Sequence, residues 1–216
     1  MSKIWFTSDI HFGHRNILAY CPNRPFSTIE EHDAAIINEW RSKIAPADEV
    51  YFLGDLTLDS DPERCLALLE KLPGHVHVVT GNHDRALRKV RKLFGSPAYP
   101  LDPGTAQTEE QRRLVERYVD TLDRLDFMPR SDRVEGFYRF KRDGVSCVLN
   151  HHPIEDWPGR AEHGRKPTGI DPLSGRWHLH GHSHGTSRKV PARLDVGWDT
   201  ANRILSWEEV QRIMRS

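Results

Sequence analysis

The sequence predicts an α/β fold in one domain, and three observations carry that prediction. Three short apolar runs, residues 3–7, 50–53 and 75–79, each give way to a polar turn and then to a helical pattern, the rhythm of a sheet whose helices pack on its faces. The polar turns fall at the carboxyl ends of the runs, the edge where open α/β sheets gather functional groups. At 216 residues the chain can bury one sizeable core and is short for two.

Composition narrows the function classes. The 31 Lys and Arg balance 31 Asp and Glu, and hydrophobic residues make up 37%. The chain therefore reads as globular with no global attraction to polyanions, and any affinity for nucleic acid has to come from local patches. No apolar run approaches membrane-spanning length, and the opening residues lack a signal-peptide core. Cys21, Cys65 and Cys147 are few, odd in number and scattered, which fits small buried thiols rather than a disulfide framework. A cytoplasmic protein without membrane association is expected. The 13 histidines, four of them packed as His178, His180, His182 and His184, are the first sign of metal chemistry.

In chain order, residues 3–7 read as a buried strand leading into Ser8-Asp9-Ile10-His11-Phe12-Gly13-His14. A helix begins near Ser27 or Thr28, because Ser27 with Glu30 and Thr28 with Glu31 both satisfy capping-box spacing. Ile29, Ile36, Ile37, Trp40 and Ile44 share one side of it, and Pro46 stops it. Residues 50–53 form the second strand and run into Gly54-Asp55-Leu56-Thr57. Asp61 before Pro62 predicts an N-cap and first-turn proline for a helix carrying Leu66, Leu68, Leu69 and Leu72, ended by Pro73-Gly74. The third strand, 75–79, meets Gly81-Asn82-His83-Asp84, where Gly81 permits close backbone approach.

Five of the eight residues 85–92 are basic, above a stripe of Leu87, Val90, Leu93 and Phe94, so a basic amphipathic helix follows the third turn. A loop at 95–104 leads to a second helix, 109–125, burying Leu114, Val115, Tyr118, Val119 and Leu122; together these form a helical insertion of about residues 85–130. Residues 137–140 and 145–149 flank Asp143-Gly144, a short hairpin signal, and the second strand ends in Asn150-His151-His152-Pro153. A long active-site loop, about 154–177, holds Trp157, Arg160, His163, Arg165 and Lys166. Residues 177–180 form a brief strand into Gly181-His182-Ser183-His184, 193–196 the last strand, and Ser206 with Glu209 caps a terminal helix through Met214.

Five polar turns have now accumulated: Asp9-Ile10-His11, Gly54-Asp55, Gly81-Asn82-His83-Asp84, His151 ahead of Pro153, and Gly181-His182-Ser183-His184. In this order they resemble the metallophosphoesterase superfamily, the calcineurin-like phosphoesterases, which includes protein phosphatases, cyclic nucleotide phosphodiesterases and double-strand-break-repair nucleases. Each motif alone is weak, and five in order at strand ends are specific. The resemblance implies a four-layer αββα sandwich with two divalent ions. It assigns Asp9, His11 and His184 to one ion, Asn82, His151 and His182 to the other, and Asp55 to both. Chemistry agrees, since ions about 3.5–4 Å apart need a bridging carboxylate with oxygen and imidazole donors around it. If the Gly-His-Xaa-His segment is strand-like, His182 and His184 share a face, each reaching one ion.

His83 is then the free imidazole, expected to protonate the leaving alkoxide, with Asp84 holding its ring. The sequence departs from the family pattern at the turn after Asp55, where many members carry a further acidic or amide residue and this chain has Leu56-Thr57-Leu58. His14, Arg15 and Asn16 resemble a bacterial and phage branch and are expected, with His152, to line the phosphate site. His32, His75, His77, His163 and His178 are expected to be ordinary, and His180 either a strand histidine or a support to the ligands. Asp, Asn and His donors without Cys favour Mn²⁺, Fe or Zn²⁺ over Mg²⁺ alone, and the family resemblance adds to the preference for Mn²⁺ among them. The basic helix and loops, set against acidic clusters elsewhere, suggest a positive face around the site, as a phosphodiester polymer wants. The leading expectation is a Mn²⁺-dependent endonuclease on single-stranded DNA, with a role in repair. The alternatives are a 2′,3′-cyclic nucleotide phosphodiesterase or phosphomonoesterase, and a non-catalytic scaffold.

Overall fold

Strands β1 (Ile4–Thr7) and β2 (Glu49–Phe52) carry apolar side chains on both faces, and both faces are buried. Trp5, Val50 and Phe52 belong to one hydrophobic cluster, while Ile4, Phe6, Tyr51 and Leu53 belong to another. A strand that is apolar on both faces belongs in the middle of a layered structure, and the computed structural model places them there. It describes residues 2–93, 108–128, 138–154, 175–186 and 191–216. Parallel strands β3 (His75–Val78) and β4 (Leu125–Phe127) extend the sheet on one side, and antiparallel β9 (Leu205–Ser206) closes it on the other, in the order β4-β3-β2-β1-β9. The second sheet has the order β5-β6-β7-β8, from Tyr138–Arg142, Val145–Leu149, Trp177–His180 and Arg193–Asp195. Its last three strands are parallel, and β5 joins β6 through a hairpin with Asp143 and Gly144 both at positive φ.

The first cluster fills the space between the first sheet and a helical layer. Helix α2 (Ile29–Lys43) contributes Ile36 and Trp40, α3 (Pro62–Leu69) contributes Leu66 and Leu69, and α4 (Arg85–Leu93) contributes Leu87 and Val90. Leu114 and Val115 of α5 (Glu109–Arg117) and Leu122 of α6 (Val119–Leu122) complete it. The second cluster lies between the sheets, where Phe6 packs against Tyr51, Phe140 and Trp207. Trp207 opens the terminal helix α8 (Trp207–Arg215), which carries the expected Ser206/Glu209 capping box. The result is the mixed α/β sandwich of two sheets and flanking helices that was expected. Among the described residues, no helix is long and apolar enough to cross a membrane.

Local differences have local causes. Thr28 is the N-cap of α2, and the Glu31 carboxylate reaches back to the Ser27 N–H. The helix expected over 109–125 breaks at Tyr118 and ends at Leu122. Its tail is captured by the sheet: Val76 N–H donates to the Arg124 carbonyl, and the Arg124 guanidinium binds the carbonyls of Leu72 and Gly74. Leu125–Phe127 then pairs with β3 as the edge strand β4. Of the described residues, 85–93 and 108–124 therefore belong to the connection between β3 and β4. Helix α7 (Trp198–Ala201) and β9 are too short to leave a periodic signal. Residues 94–107, Phe137, and most of the expected active-site loop, including Trp157, Arg160, His163, Arg165 and Lys166, lie outside the described residues, as do Arg188 and Lys189.

Candidate metal centre

The five polar turns converge because the parallel strands of both sheets present their carboxyl ends to one place. Past β1 and β2 the two chains stay zipped: the N–H groups of Asp9, His11 and Phe12 donate to the carbonyls of Gly54, Asp55 and Leu56 at 2.9, 3.0 and 2.8 Å. A parallel bridge between Ser8 and Gly197 and a bond from Trp198 N–H to the Ser8 carbonyl tie β1 to the chain after β8. The turns approach so closely that only glycine fits at two points. A Cβ on Gly81 would strike Asp55 Oδ1, and one on Gly181 would strike Ser8 Oγ and Asp9 Oδ2.

Backbone conformation is unusual at this point of the molecule. Asp9, His11, Asp55, His182 and His184 all have positive φ, between 46° and 66°. Left-handed backbone costs an L-residue about 1–2 kcal/mol, and such strain gathers where surrounding structure over-determines the geometry. The expected strand-like alternation of His182 and His184 is therefore corrected. They sit on a turn in left-handed conformations, and the turn sends one ring to each cluster.

The first cluster holds Asp9, His11 and His184, whose donor atoms lie within 4.8 Å of one another. Asp9 Oδ1 and both ring nitrogens of His11 are buried without a hydrogen-bond partner. Unsatisfied buried acceptors are costly, and these fit a bound cation. Burial pushes the Asp9 carboxyl up to about 6 against the opposing pull of His151 and His184. Burial also lowers His11 to about 3, although Asp55 works the other way, so His11 presents a neutral imidazole.

Asp55 stands between the clusters. Its Oδ2 is 3.7 Å from His11 Nε2 and 3.4 Å from His151 Nε2, and it is buried. Burial alone would raise this carboxyl; the His151 imidazole, the His83 N–H and His11 outweigh it and hold Asp55 below the usual carboxylate range. The second cluster is Asn82, His151 and His182. Asn82 Oδ1 lies 2.9 Å from His151 Nε2 and 2.9 Å from His182 Nδ1. His151 Nδ1 bonds the Leu53 carbonyl at 2.8 Å, which points Nε2 inward. Burial lowers His151, and Asp55 and Asp9 reverse that and push it up to about 9. His152 joins this group, its ring 4.2 Å from that of His182, and burial with the neighbouring His151 lowers it to about 4.

The remaining site candidates divide. His83 is exposed, its ring centroid 5.6 Å from that of His11 and its N–H bonded to Asp55 Oδ1 at 2.8 Å. Asp84 does not take the expected role of holding the His83 ring. It is fully buried, and its carboxylate accepts from the N–H groups of Asp55, Leu56 and Gly81 at 2.8, 2.8 and 2.7 Å. Successive residues of a turn point apart, so Asp84 braces the turns carrying Asp55 and Asn82 instead. Burial, then the Asp55 charge, raise it to about 6, and the three N–H bonds oppose that. The Leu56-Thr57-Leu58 departure is thereby answered with backbone: Leu56 offers its N–H to Asp84, and Thr57 Oγ1 donates to the Phe12 carbonyl.

His14 lies beside His11, with ring centroids 5.7 Å apart, and beside exposed Tyr20. Arg15 instead turns toward Glu30, 3.7 Å away, both exposed. Asn16 is exposed at the start of the short helix α1 (Ile17–Tyr20), with no side-chain capping bond. His178 and His180 are buried on β7, and His180 Nδ1 meets the Gly181 carbonyl. Within the basic helix, Arg88 binds the carbonyls of Gly81 and Asn82, and Lys89 that of Ser60. Arg88 thereby holds the third turn in place, and Lys89 ties the helix to the segment that precedes α3.

Two residues escaped the sequence reading. Asp199 Oδ2 is 2.6 Å from His184 Nδ1, and Arg24 makes a buried salt bridge to the same carboxylate at 2.7 Å. His32, expected to be ordinary, bonds Arg24 at 2.7 Å. The only available signal was an arginine between prolines shortly after the first turn and an aspartate shortly after the last strand.

Comparison with known proteins follows the same outline. The sequence profile of the calcineurin-like phosphoesterases matches residues 2–186. An uncharacterised protein of Methanocaldococcus jannaschii is 45% identical over 94 residues, 43% of this chain and 53% of that protein, so the match spans about half of the relative's length. The gene 66 protein of Mycobacterium phage L5 is 27% identical over 217 residues, covering 97% of this chain and 93% of its own. Among solved structures, a protein of unknown function from Aquifex aeolicus superposes with a TM-score of 0.59 at 19% identity, over 99% of this chain and 100% of that one, a likeness of fold.

Proposed function

The chain belongs to the calcineurin-like phosphoesterase family, and on that premise we propose a Mn²⁺-dependent binuclear phosphodiesterase that acts as an endonuclease on single-stranded DNA, in nucleic-acid repair. Family membership implies metal-dependent hydrolysis of phosphoesters. The observation that supports the binuclear part of this reading is the place of Asp55, one carboxylate oxygen within reach of imidazoles from two separate donor clusters. Asp9, His11 and His184 would hold one ion, Asn82, His151 and His182 the other, and Asp55 both. When bound, the two ions supply Lewis acidity toward the phosphoryl oxygens and lower the pKa of an attacking water.

The protein's own groups do the rest. Its N–H fixed by Asp55, exposed His83 is placed to give a proton to the leaving alkoxide. His152, kept neutral by the partial burial of its ring and by His151 and His182, offers a hydrogen bond to a phosphoryl oxygen, and His14 does so from beside His11. Asn82, His83 and His152 are all exposed, so the rim admits an extended chain, and exposed Arg85 at the start of α4 adds positive charge beside it. A second reading, a small phosphodiester such as a 2′,3′-cyclic nucleotide or a phosphomonoester, is favoured by one fact. Arg88 and Lys89 are occupied by backbone carbonyls, which leaves fewer charges to follow a polymer.

The test is a panel of divalent ions against an aryl monoester, a bis-aryl diester, a cyclic nucleotide and single-stranded circular DNA. Cleavage of the circle with Mn²⁺ is expected. Diester hydrolysis that leaves the circle intact would remove the nuclease assignment, and a chain that binds no ion would return it to a scaffold. His83→Ala should lose about 10²–10⁴-fold on alkoxide leaving groups and much less on activated aryl ones; equal losses would count against proton donation.

A further inference from the structure

Behind the first cluster lies a buried ion pair, Arg24 with Asp199, both side chains fully excluded from solvent. Every N–H of the Arg24 guanidinium has an acceptor. Nε donates to Asp199 Oδ1 at 2.7 Å, and Nη2 to Asp199 Oδ2 at 2.7 Å and to the Asp9 carbonyl at 2.6 Å. Nη1 donates to the Ile10 carbonyl at 2.8 Å and to His32 Nε2 at 2.7 Å. These five bonds exhaust the donors an arginine has. Because His32 accepts at Nε2, its proton sits on Nδ1, which meets Asp33 Oδ1 at 2.7 Å; Asp33 Oδ2 in turn accepts the Gly13 N–H at 2.9 Å. On the other side, Asp199 Oδ2 accepts from His184 Nδ1 at 2.6 Å, and Asn23 Nδ2 bonds the Asp199 carbonyl.

We propose that Arg24 and Asp199 are positioning residues of the first metal half-site: Asp199 fixes the tautomer of His184, and Arg24 fixes both Asp199 and the backbone of the Asp9–His11 turn. The inference rests on the binuclear reading. A carboxylate at Nδ1 keeps the proton there and leaves the Nε2 lone pair of His184 for a cation. Asp9 and His11 hold left-handed backbone, and the two guanidinium bonds to the carbonyls of Asp9 and Ile10 restrain the turn that carries them. Only a planar fork reaches a carboxylate, two carbonyls and an imidazole at once; a lysine ammonium, with three donors on one nitrogen, does not. Relative to apolar packing, a buried ion pair adds little net stability, so its consequence here is geometric. Cys21, 3.5 Å from His184 Nδ1, is no substitute anchor. Burial, with Asp199 beside it, pushes its thiol up to about 11, and Arg24 disfavours a further cation at Cys21, His184 and Asp199.

The test follows Mn²⁺ binding by calorimetry and the His184 imidazole by ¹⁵N NMR in metal-free protein. Wild type should bind two ions and show His184 protonated at Nδ1. In Asp199→Asn and Arg24→Lys, one ion should weaken about 10–100-fold while the other is unchanged, and in Asp199→Asn the His184 signals should move to a mixture of tautomers. Unchanged affinities for both ions with an unchanged tautomer would overturn the proposal. Should circular dichroism show either variant unfolded, Arg24→Met/Asp199→Leu replaces the pair with apolar packing: loss of one ion from that folded protein supports the proposal, and two ions at wild-type affinity overturn it. Wild type binding fewer than two ions would sink the binuclear reading alone, because the His184 tautomer still reports on Asp199.

Discussion

Asp9 and His11 sit inside the protein and, with His184, in front of a buried guanidinium, whereas in the second cluster only His151 is buried: Asn82 is exposed on a turn braced through its backbone, and His182 is half-buried. One half of the centre is fixed by side chains drawn from residues 24, 32 and 199; the other is fixed by Asp84 and Arg88, close by in sequence. The exposed half is also where His83 and His152 stand. The difference separates two tasks, since an interior half can be preorganised by charge, while a half that meets substrate has to remain open. It also means that stability and activity should respond differently to changes in the two halves.

The largest expected effect breaks the interior half. Arg24→Ala leaves the buried Asp199 carboxylate without its guanidinium, facing the His184 imidazole, and should cost about 3–5 kcal/mol in urea unfolding of metal-free protein. His182→Ala, at the half-buried rim, should change stability by no more than about 0.5 kcal/mol; similar losses in the two would erase the distinction. Next, Asp84→Ala strands three backbone N–H groups and should cost about 3 kcal/mol by the same measurement. Arg88→Ala removes the bonds to the Gly81 and Asn82 carbonyls and should cost about 1 kcal/mol, with a larger proportional loss for the ion assigned to Asn82, His151 and His182 than for the other.

The smallest effect is a control at the far ends of the strands. Asp48 is buried and accepts from the N–H groups of Lys3 and Ala45 and from Trp5 Nε1. Burial would raise its pKa, but these bonds together hold it below its ordinary 3.8. A depressed carboxylate stabilises the fold fully above its unfolded pKa and loses that contribution as pH falls through the folded value. The stability gap between wild type and Asp48→Asn, about 1 kcal/mol at neutral pH, should thus shrink below about pH 4, with or without Mn²⁺. A gap that depended on metal would mean that the two ends of the sheet are coupled.

The first two strands and their polar turns were legible because both are apolar on both faces and end abruptly in residues that are poor core formers. Helix starts were legible where the cap chemistry is local, as at Asp61-Pro62 and at Ser206 with Glu209. The three-residue β4 was hidden because Leu122 and Leu125 also fit a helical stripe; sheet pairing decided the outcome. The parity argument for His182 and His184 failed because left-handed backbone leaves no mark in a string of letters, although Asp, Asn and His tolerate it better than most residues. Arg24 and Asp199 were hidden for a different reason, being 175 positions apart, so that only the meeting of the first and last turns makes them a pair. Asp84 was noticed but misread, because adjacency to His83 in sequence does not survive the turn.

The most direct test of the two-ion account turns on Asp55, whose carboxylate faces imidazoles of both clusters. Electron paramagnetic resonance of wild type titrated with Mn²⁺ should show an exchange-coupled pair at two ions per chain, and Asp55→Asn should lose the coupled spectrum and leave an isolated-ion signal. An isolated-ion signal from wild type carrying two ions, or a coupled pair that survives in Asp55→Asn, would contradict it.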